Sequence, residues 1–302
     1  MSYKVETVLK NVATKCGEGP HWEDSTQTLL FVDLDNGKIF RYNPVTGTND
    51  MIQLNGYVGF VVPRSKGGLV VGLDRTFSAL DWNTKTVTKL AEVDPGKSNN
   101  RMNDGKCDPK GRLWAGTMSK SLEDDQGNLY CLDTDGSVTK KVERTCISNG
   151  LAWSVDNTTM YFVDTTPRKV YAYNYDINTG NISNKRVAVD FNKVPEFKGH
   201  VPSPDGMTVD TDDNIWVACL GGGCMAKFDS RTGAALQRVS LPNATQITSA
   251  AWGGRNLDEL YVTSLRKEIP DSELLTTNSL AGSLFRVTGL GVKGLPAYVY
   301  QG

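Results

Sequence analysis

The stretch CGEGPHWEDSTQTLLFVD, residues 16–33, carries both signals that decide how this chain is read. Its second half, EDSTQTLLFVD, is a polar turn followed by a short apolar run. Five further segments repeat that pattern: RSKGGLVVGLD, DPKGRLWAGTM, SVDNTTMYFVD, DTDDNIWVACL and GRNLDELYVTS. Their apolar centres fall at Leu30, Leu69, Leu113, Met160, Ile215 and Leu260, roughly 39 to 55 residues apart, the period of propeller blades rather than of short solenoid repeats. Several copies run on into a second alternating segment closed by a turn, as in GKIFRYNPVTG, GNLYCLDTDG and RKVYAYNYDINTG. Alternation at period two marks strands, and the N-P, D-G and T-G pairs mark turns. No segment has sustained helical periodicity, and Asp271 to Leu275 offers one turn at most. A β-sandwich also has short strands but needs no self-similarity at this period. The prediction is an all-β, six-bladed β-propeller with four-stranded blades around a central channel, one domain over residues 1–302. Ring closure is expected to pair the first strand, near Val5 to Leu9, with the C-terminal stretch near Tyr298.

Composition narrows the function. The chain has 33 basic and 34 acidic residues and a formal net charge of −1, with no run of Lys or Arg to neutralise a phosphate backbone. Nucleic acid is not an expected partner. Nor is a membrane, since no stretch approaches the roughly 20 apolar residues of a span and MSYKVETVLKNV lacks the apolar core of a secretory signal. The six cysteines show no CxxC spacing and read as scattered reduced thiols. The expected location is cytoplasmic, and the expected state a monomer acting on a small molecule.

The first half of the opening stretch asks a chemical question. Glu18 stands between Gly17 and Gly19, and glutamate has no turn preference of its own. A propeller brings one segment of each blade to its axis, so oxygen-bearing side chains beside glycine in separate blades are candidates to meet there. Three qualify: Glu18 in GEGPHW, Asn149 in SNGLAWS and Asp205 in SPDGMTVD, each read as lying just before a blade strand. Two carboxylates and an amide oxygen form a hard donor set suited to calcium, magnesium or manganese. With only two histidines, His21 and His200, and no cysteine pair at ligand spacing, structural zinc is disfavoured. N-G and D-G are also common turn pairs, so Asn149 and Asp205 have a purely conformational reading. A further cluster, NNRMNDGKCD, holds Arg101, Asn103 and Asp104, donors and acceptors suited to a polyhydroxylated or carboxylated ligand, or to a polar loop between blades. GGGCMAK, residues 221–227, lacks the ending of a phosphate loop and reads as a wide blade turn. His200 is expected on an exposed loop, and Lys267 to Leu280 as a surface loop.

Together GEGPHW, NNRMNDGKCDPKGRLWAGTM, SNGLAWS and SPDGMTVD, with the tail LDELYVT…RVTGLGVKG, resemble the regucalcin, or SMP-30/gluconolactonase, family, which includes the insect luciferin-regenerating enzymes. The resemblance covers essentially the whole chain, and GEGPHW and GLGVKG look most like the insect members. It implies a six-bladed propeller with one divalent cation on its axis (calcium, magnesium, manganese or zinc, with calcium or magnesium favoured). By motif position, Glu18, Asn149 and Asp205 match the metal ligands, Arg101 and Asn103 match residues that contact a sugar-like substrate, and Asp205 matches the general base. Met118, in AGTM, lines the pocket or packs in the core. One departure stands out. Some members carry an acidic residue after AGTM that contacts sugar hydroxyls, whereas here the aligned position is near Ser121, with Glu123 and Asp124 beside it. The expected function is a metal-dependent lactonase with Asp205 as base. The alternatives are a calcium-holding regulatory protein without turnover, luciferin-regenerating-like chemistry, or an interaction scaffold.

Overall fold

Six four-stranded antiparallel sheets make up the structure, and in five of them the strands lie side by side in chain order. The computed structural model describes residues 2–302. The first strand of each sheet packs against its counterparts in the neighbouring sheets, so these six strands surround the axis. They are Gly17–Glu23, Val58–Pro63, Asn100–Cys107, Ser148–Trp153, Ser203–Val209 and Ile247–Gly253, which begin blades 1 to 6. The six apolar centres lie one strand further out, for example Leu30 in Thr28–Asp33 and Ile215 in Asn214–Leu220. These second strands are apolar on both faces because each blade is sandwiched between two others. The expected architecture is the observed one.

Two of the repeated turns show how the sequence sets local structure. In blade 3, Asp108 Oδ1 accepts from the backbone N–H of Lys110 (2.9 Å) and Arg112 (3.0 Å), which closes the turn, while its Oδ2 accepts from the Trp114 indole (3.0 Å). Blade 5 repeats the arrangement at the same spacing. Asp210 Oδ1 accepts from Asp212 and Asn214, and Oδ2 from Trp216 (2.9 Å). The carboxylate thus fixes the turn and seats the tryptophan in the seam between blades. Trp114 meets Trp153 of blade 4 at 6.1 Å, and Trp216 meets Trp252 of blade 6 at 5.6 Å, both edge-on. Such pairs contribute about 0.5–1.5 kcal/mol beyond the area they bury.

Ring closure departs from the expectation in one respect. Blade 6 is completed by the N-terminal strand Lys4–Leu9, which pairs antiparallel with Leu284–Thr288, not with the stretch around Tyr298. Glu6 and Arg286 reinforce that seam with an ion pair at 2.8 Å. After Thr288 the chain turns away through Gly289 and Gly291, both at positive φ, where glycine carries no steric cost. It then crosses the underside of the ring. There the Tyr300 backbone bonds to Pro63 and Ser65 of blade 2, and Gln301 N–H donates to Gly111 O of blade 3 (3.0 Å). The tail closes the lower end of the channel over a small cavity of about 70 Å³ lined in part by His21, Trp153, Trp252 and Tyr298. Burial, with Lys106 nearby, pushes His21 down to about 3, so it is neutral there.

As expected, Asp271–Leu274 forms one helical turn and all six cysteines are free thiols; of GGGCMAK, read as a wide turn over residues 221–227, only residues 221–223 turn, and Cys224 already begins the strand Cys224–Asp229. No helix among the described residues is long and apolar enough to cross a membrane.

Two outcomes follow from these seams. Deleting residues 1–10 exposes the edge of Leu284–Thr288 and should lower the midpoint of thermal unfolding by on the order of 10 °C. Asp210 also holds the buried Lys227 ammonium at 2.8 Å. Asp210→Ala leaves that charge and the Trp216 N–H unpaired and should cost about 3–5 kcal/mol in denaturant unfolding.

Candidate metal and substrate site

All six axial strands slip register at the same level. The shifts lie between Glu18 and His21, Val58 and Val61, Met102 and Gly105, Ser148 and Leu151, Pro204 and Met207, and Ile247 and Ser249. Asn103, Asp104, Asn149 and Asp205 are among the residues passed over, and Glu18 is the last paired residue before its own slip. A bulge re-aims side chains at the point where the ladder is interrupted. These residues therefore sit inside the innermost strands, not in turns ahead of them, and the turn reading of Asn149-Gly150 and Asp205-Gly206 is overturned.

The glycines beside them are explained by crowding at the axis. Gly19 adopts φ 52°, a left-handed conformation that a side chain would strain, although a Cβ there would make only ordinary contact with Phe60 of blade 2. A Cβ on Gly150 would stand 2.8 Å from Asp205 O, and one on Gly206 would overlap the Ser249 hydroxyl of blade 6. Each glycine lets one bulge nest against the next. Glu18 is aimed by this nesting, which answers the question its two glycines raise.

Three of the bulged strands bring Glu18, Asn149 and Asp205 to the floor of one funnel of about 270 Å³, with Arg101, Asn103 and Met118 also in its wall. All six are nearly inaccessible to bulk water. Hydrogen bonds fix the amides. Arg101 Nη1 donates to Asn103 Oδ1 (2.7 Å), and Asn103 Nδ2 donates to Asn149 Oδ1 (3.0 Å) and to Ser148 O (2.9 Å). Asn149 Nδ2 donates to Thr165 Oγ1 (2.8 Å), and that hydroxyl donates to Pro204 O (2.8 Å), next to Asp205. This relay spans blades 3, 4 and 5 and turns the Asn149 oxygen toward the axis. It also occupies both N–H groups of Asn103.

The carboxylates are not compensated in the same way. Glu18 Oε2 accepts from its neighbour Gly19 N–H (2.9 Å), whereas Asp205 Oδ1 is buried with no hydrogen-bond partner. Both line the same funnel. Burial raises both above the ordinary carboxylate range; the charge of the buried Asp104 raises Glu18 further, and the charges of Glu18 and Asp104 raise Asp205 further. Two desolvated carboxylates with an orphaned oxygen, neither in an ion pair among the described residues, form a site suited to a directly bound positive charge. The donors are all hard oxygens, so the residues present fit a divalent cation such as calcium or magnesium.

Other residues fall elsewhere. His200 is exposed and bonds to Gly221 O at 2.8 Å, outside the funnel. Of the segment after AGTM, Lys120 and Leu122 reach the funnel, while Glu123 turns back to accept from Ser119 Oγ at 3.2 Å. The polar loop from Lys267 contributes its first residues, Lys267 and Glu268, to the mouth, with Tyr57 and Asp35 from other blades. Thr165, Lys120 and Lys267 were missed from sequence because each lies in a segment with no glycine-framed signal, and Tyr57, although it stands in NGYVG, was missed because only amides and carboxylates in such segments were read as donors.

An axial ring of oxygen donors in a six-bladed propeller agrees with what comparison finds. The model for the SMP-30/Gluconolactonase/LRE-like region matches residues 16–266, and the chain belongs to that family. Regucalcin from Oryctolagus cuniculus is 42% identical over 306 residues, covering 100% of this chain and 99% of the relative. Human regucalcin is 41% identical over 306 residues with the same coverage. Among solved structures, a luciferin-regenerating enzyme superposes with a TM-score of 0.91 at 37% identity, covering 99% of this chain and 100% of the other. A regucalcin from Agrobacterium tumefaciens, described as a calcium-binding protein, superposes at 0.90 with 27% identity, covering 99% and 98%.

The electrostatics yield a stability test. Asp205→Asn keeps the shape but removes one of two repelling buried charges. In chelator it should raise the thermal midpoint by a few degrees. Adding calcium should raise the thermal midpoint of the wild-type protein and leave that of the variant unchanged.

Proposed function

We propose that the funnel is the active site of a metal-dependent hydrolase that opens lactones, as in gluconolactonases. The observation that carries this is the unpartnered, buried Asp205 oxygen facing Glu18 beside an oriented amide oxygen. Glu18, Asn149 and Asp205 would hold the cation. When bound, it supplies Lewis-acid polarisation of the lactone carbonyl and makes a nearby water more acidic. The protein residues then divide the remaining work. Asp205, with a free oxygen, accepts the proton of the attacking water. An aspartate with the ordinary pKa of about 3.9 is a weak base at neutral pH, so the acidity that the cation confers on the water supplies the rest. Arg101 keeps its Nε and Nη2 hydrogens free of protein acceptors and uses them to orient the substrate. Asn103 reaches substrate only through its remaining oxygen lone pair, because both of its N–H groups are engaged. Its first task is to hold Asn149. Met118 supplies apolar wall for the ring.

Two further readings have support. The calcium-binding description of the Agrobacterium relative favours a protein that holds calcium without turnover. The close superposition on a luciferin-regenerating enzyme favours chemistry of that kind.

A panel of lactones assayed with metal-stripped protein, with calcium, magnesium, manganese and zinc restored in turn, separates these readings. Hydrolysis should vanish with chelator and return with at least one ion. Activity indifferent to chelation would reject the mechanism. Asp205→Ala should abolish both turnover and cation binding. Arg101→Ala should lower kcat/KM at least tenfold with cation affinity kept, and Asn103→Ala should weaken both.

A further inference from the structure

The mouth of the funnel holds positive charge for which hydrolysis alone has no use. Arg101 is 7% exposed, and its only acceptors are neutral: Met102 O at 3.0 Å and Asn103 Oδ1 at 2.7 Å. Its unused hydrogens, on Nε and Nη2, form the side-on fork that fits a carboxylate in bidentate fashion. Lys120 is exposed just above. Among the described residues, neither cation has a carboxylate within 4.0 Å. Both approach one aromatic ring, Tyr57 of blade 2, at 5.7 Å for Arg101 and 5.9 Å for Lys120. Across the mouth, Lys267 is neutralised by Asp35 at 2.9 Å. With a divalent cation balancing Glu18 and Asp205, and Asp104 beneath them countered by Lys106, Glu268 is the one lining carboxylate left to oppose Arg101 and Lys120, so the mouth of the funnel presents net positive charge. The segment after AGTM thus places a lysine at the funnel, where recognition of sugar hydroxyls would call for an acid.

We propose that the substrate is an anionic lactone, with its ring against Tyr57 and a carboxylate substituent held between Arg101 and Lys120. This rests on the lactone-hydrolase reading and names its substrate class. Lys120 is the specificity-determining residue, since Arg101 serves any polar ligand.

The test uses two lactones of the same ring: D-glucono-1,4-lactone, which is neutral, and D-glucaro-1,4-lactone, in which the terminal CH2OH is a carboxylate. With the cation-reconstituted protein, kcat/KM should be at least tenfold higher for the carboxylate form. That ratio should fall at least tenfold in Lys120→Glu, an exposed substitution that leaves the core untouched. It should also shrink as salt is raised. Equal rates, or preference for the neutral lactone, overturn the charge inference and leave the hydrolase reading standing. If neither lactone is opened, the hydrolase reading fails, and calorimetric binding of both to the cation-loaded protein decides the charge inference by itself. Tighter binding of the carboxylate form, lost in Lys120→Glu, supports it. Equal binding, or none, overturns it.

Discussion

Glu18 and Asp205 are held against each other away from water, and much of the molecule is arranged around that repulsion. Ionised carboxylates in such a place are costly unless something positive joins them. Asp104 adds a third acid close by. The arrangement persists because each carboxylate belongs to a different sheet, and each sheet is locked by its own ladder and by apolar seams on both faces. The fold stabilises a local conflict that no isolated segment would tolerate, which is the usual condition of a functional site.

Six bulges at one level make the conflict possible. A regular strand would alternate its side chains between the two blade faces, and none would be aimed along the axis. Slipping the register re-aims one or two residues per blade, and glycine beside them removes the Cβ that would collide with the next blade. The channel is open at one end only. The upper ends of these strands frame the funnel, while the lower ends are covered by the C-terminal tail.

Floor and mouth of the funnel have different origins. The floor is built from axial strands and tied by the relay from Arg101 through Asn103, Asn149 and Thr165 to the strand of Asp205. The mouth comes from connecting loops: Tyr57, Lys120 and the segment starting at Lys267. Loops of this kind vary without disturbing a scaffold. One floor of oxygen donors can therefore serve different ligands according to what surrounds its rim.

The sequence by itself determined the blade count and the three axial oxygens. The second strands are buried on both faces and so read as apolar runs at a fixed period, and glycine beside Glu18, Asn149 and Asp205 leaves a mark in the chain. It misplaced those oxygens in preceding turns, because N-G and D-G are identical in a turn and in a bulge. It also sent the N-terminal strand to the wrong partner, since pairing of distant edges depends on where the chain turns away after Thr288. Only the tertiary structure decided that Asn103 spends its N–H groups on Asn149, that Thr165 completes the relay, and that Lys120 rather than Glu123 reaches the funnel. Those are contacts between residues tens of positions apart, set by how sheets pack, and local sequence carries no trace of them.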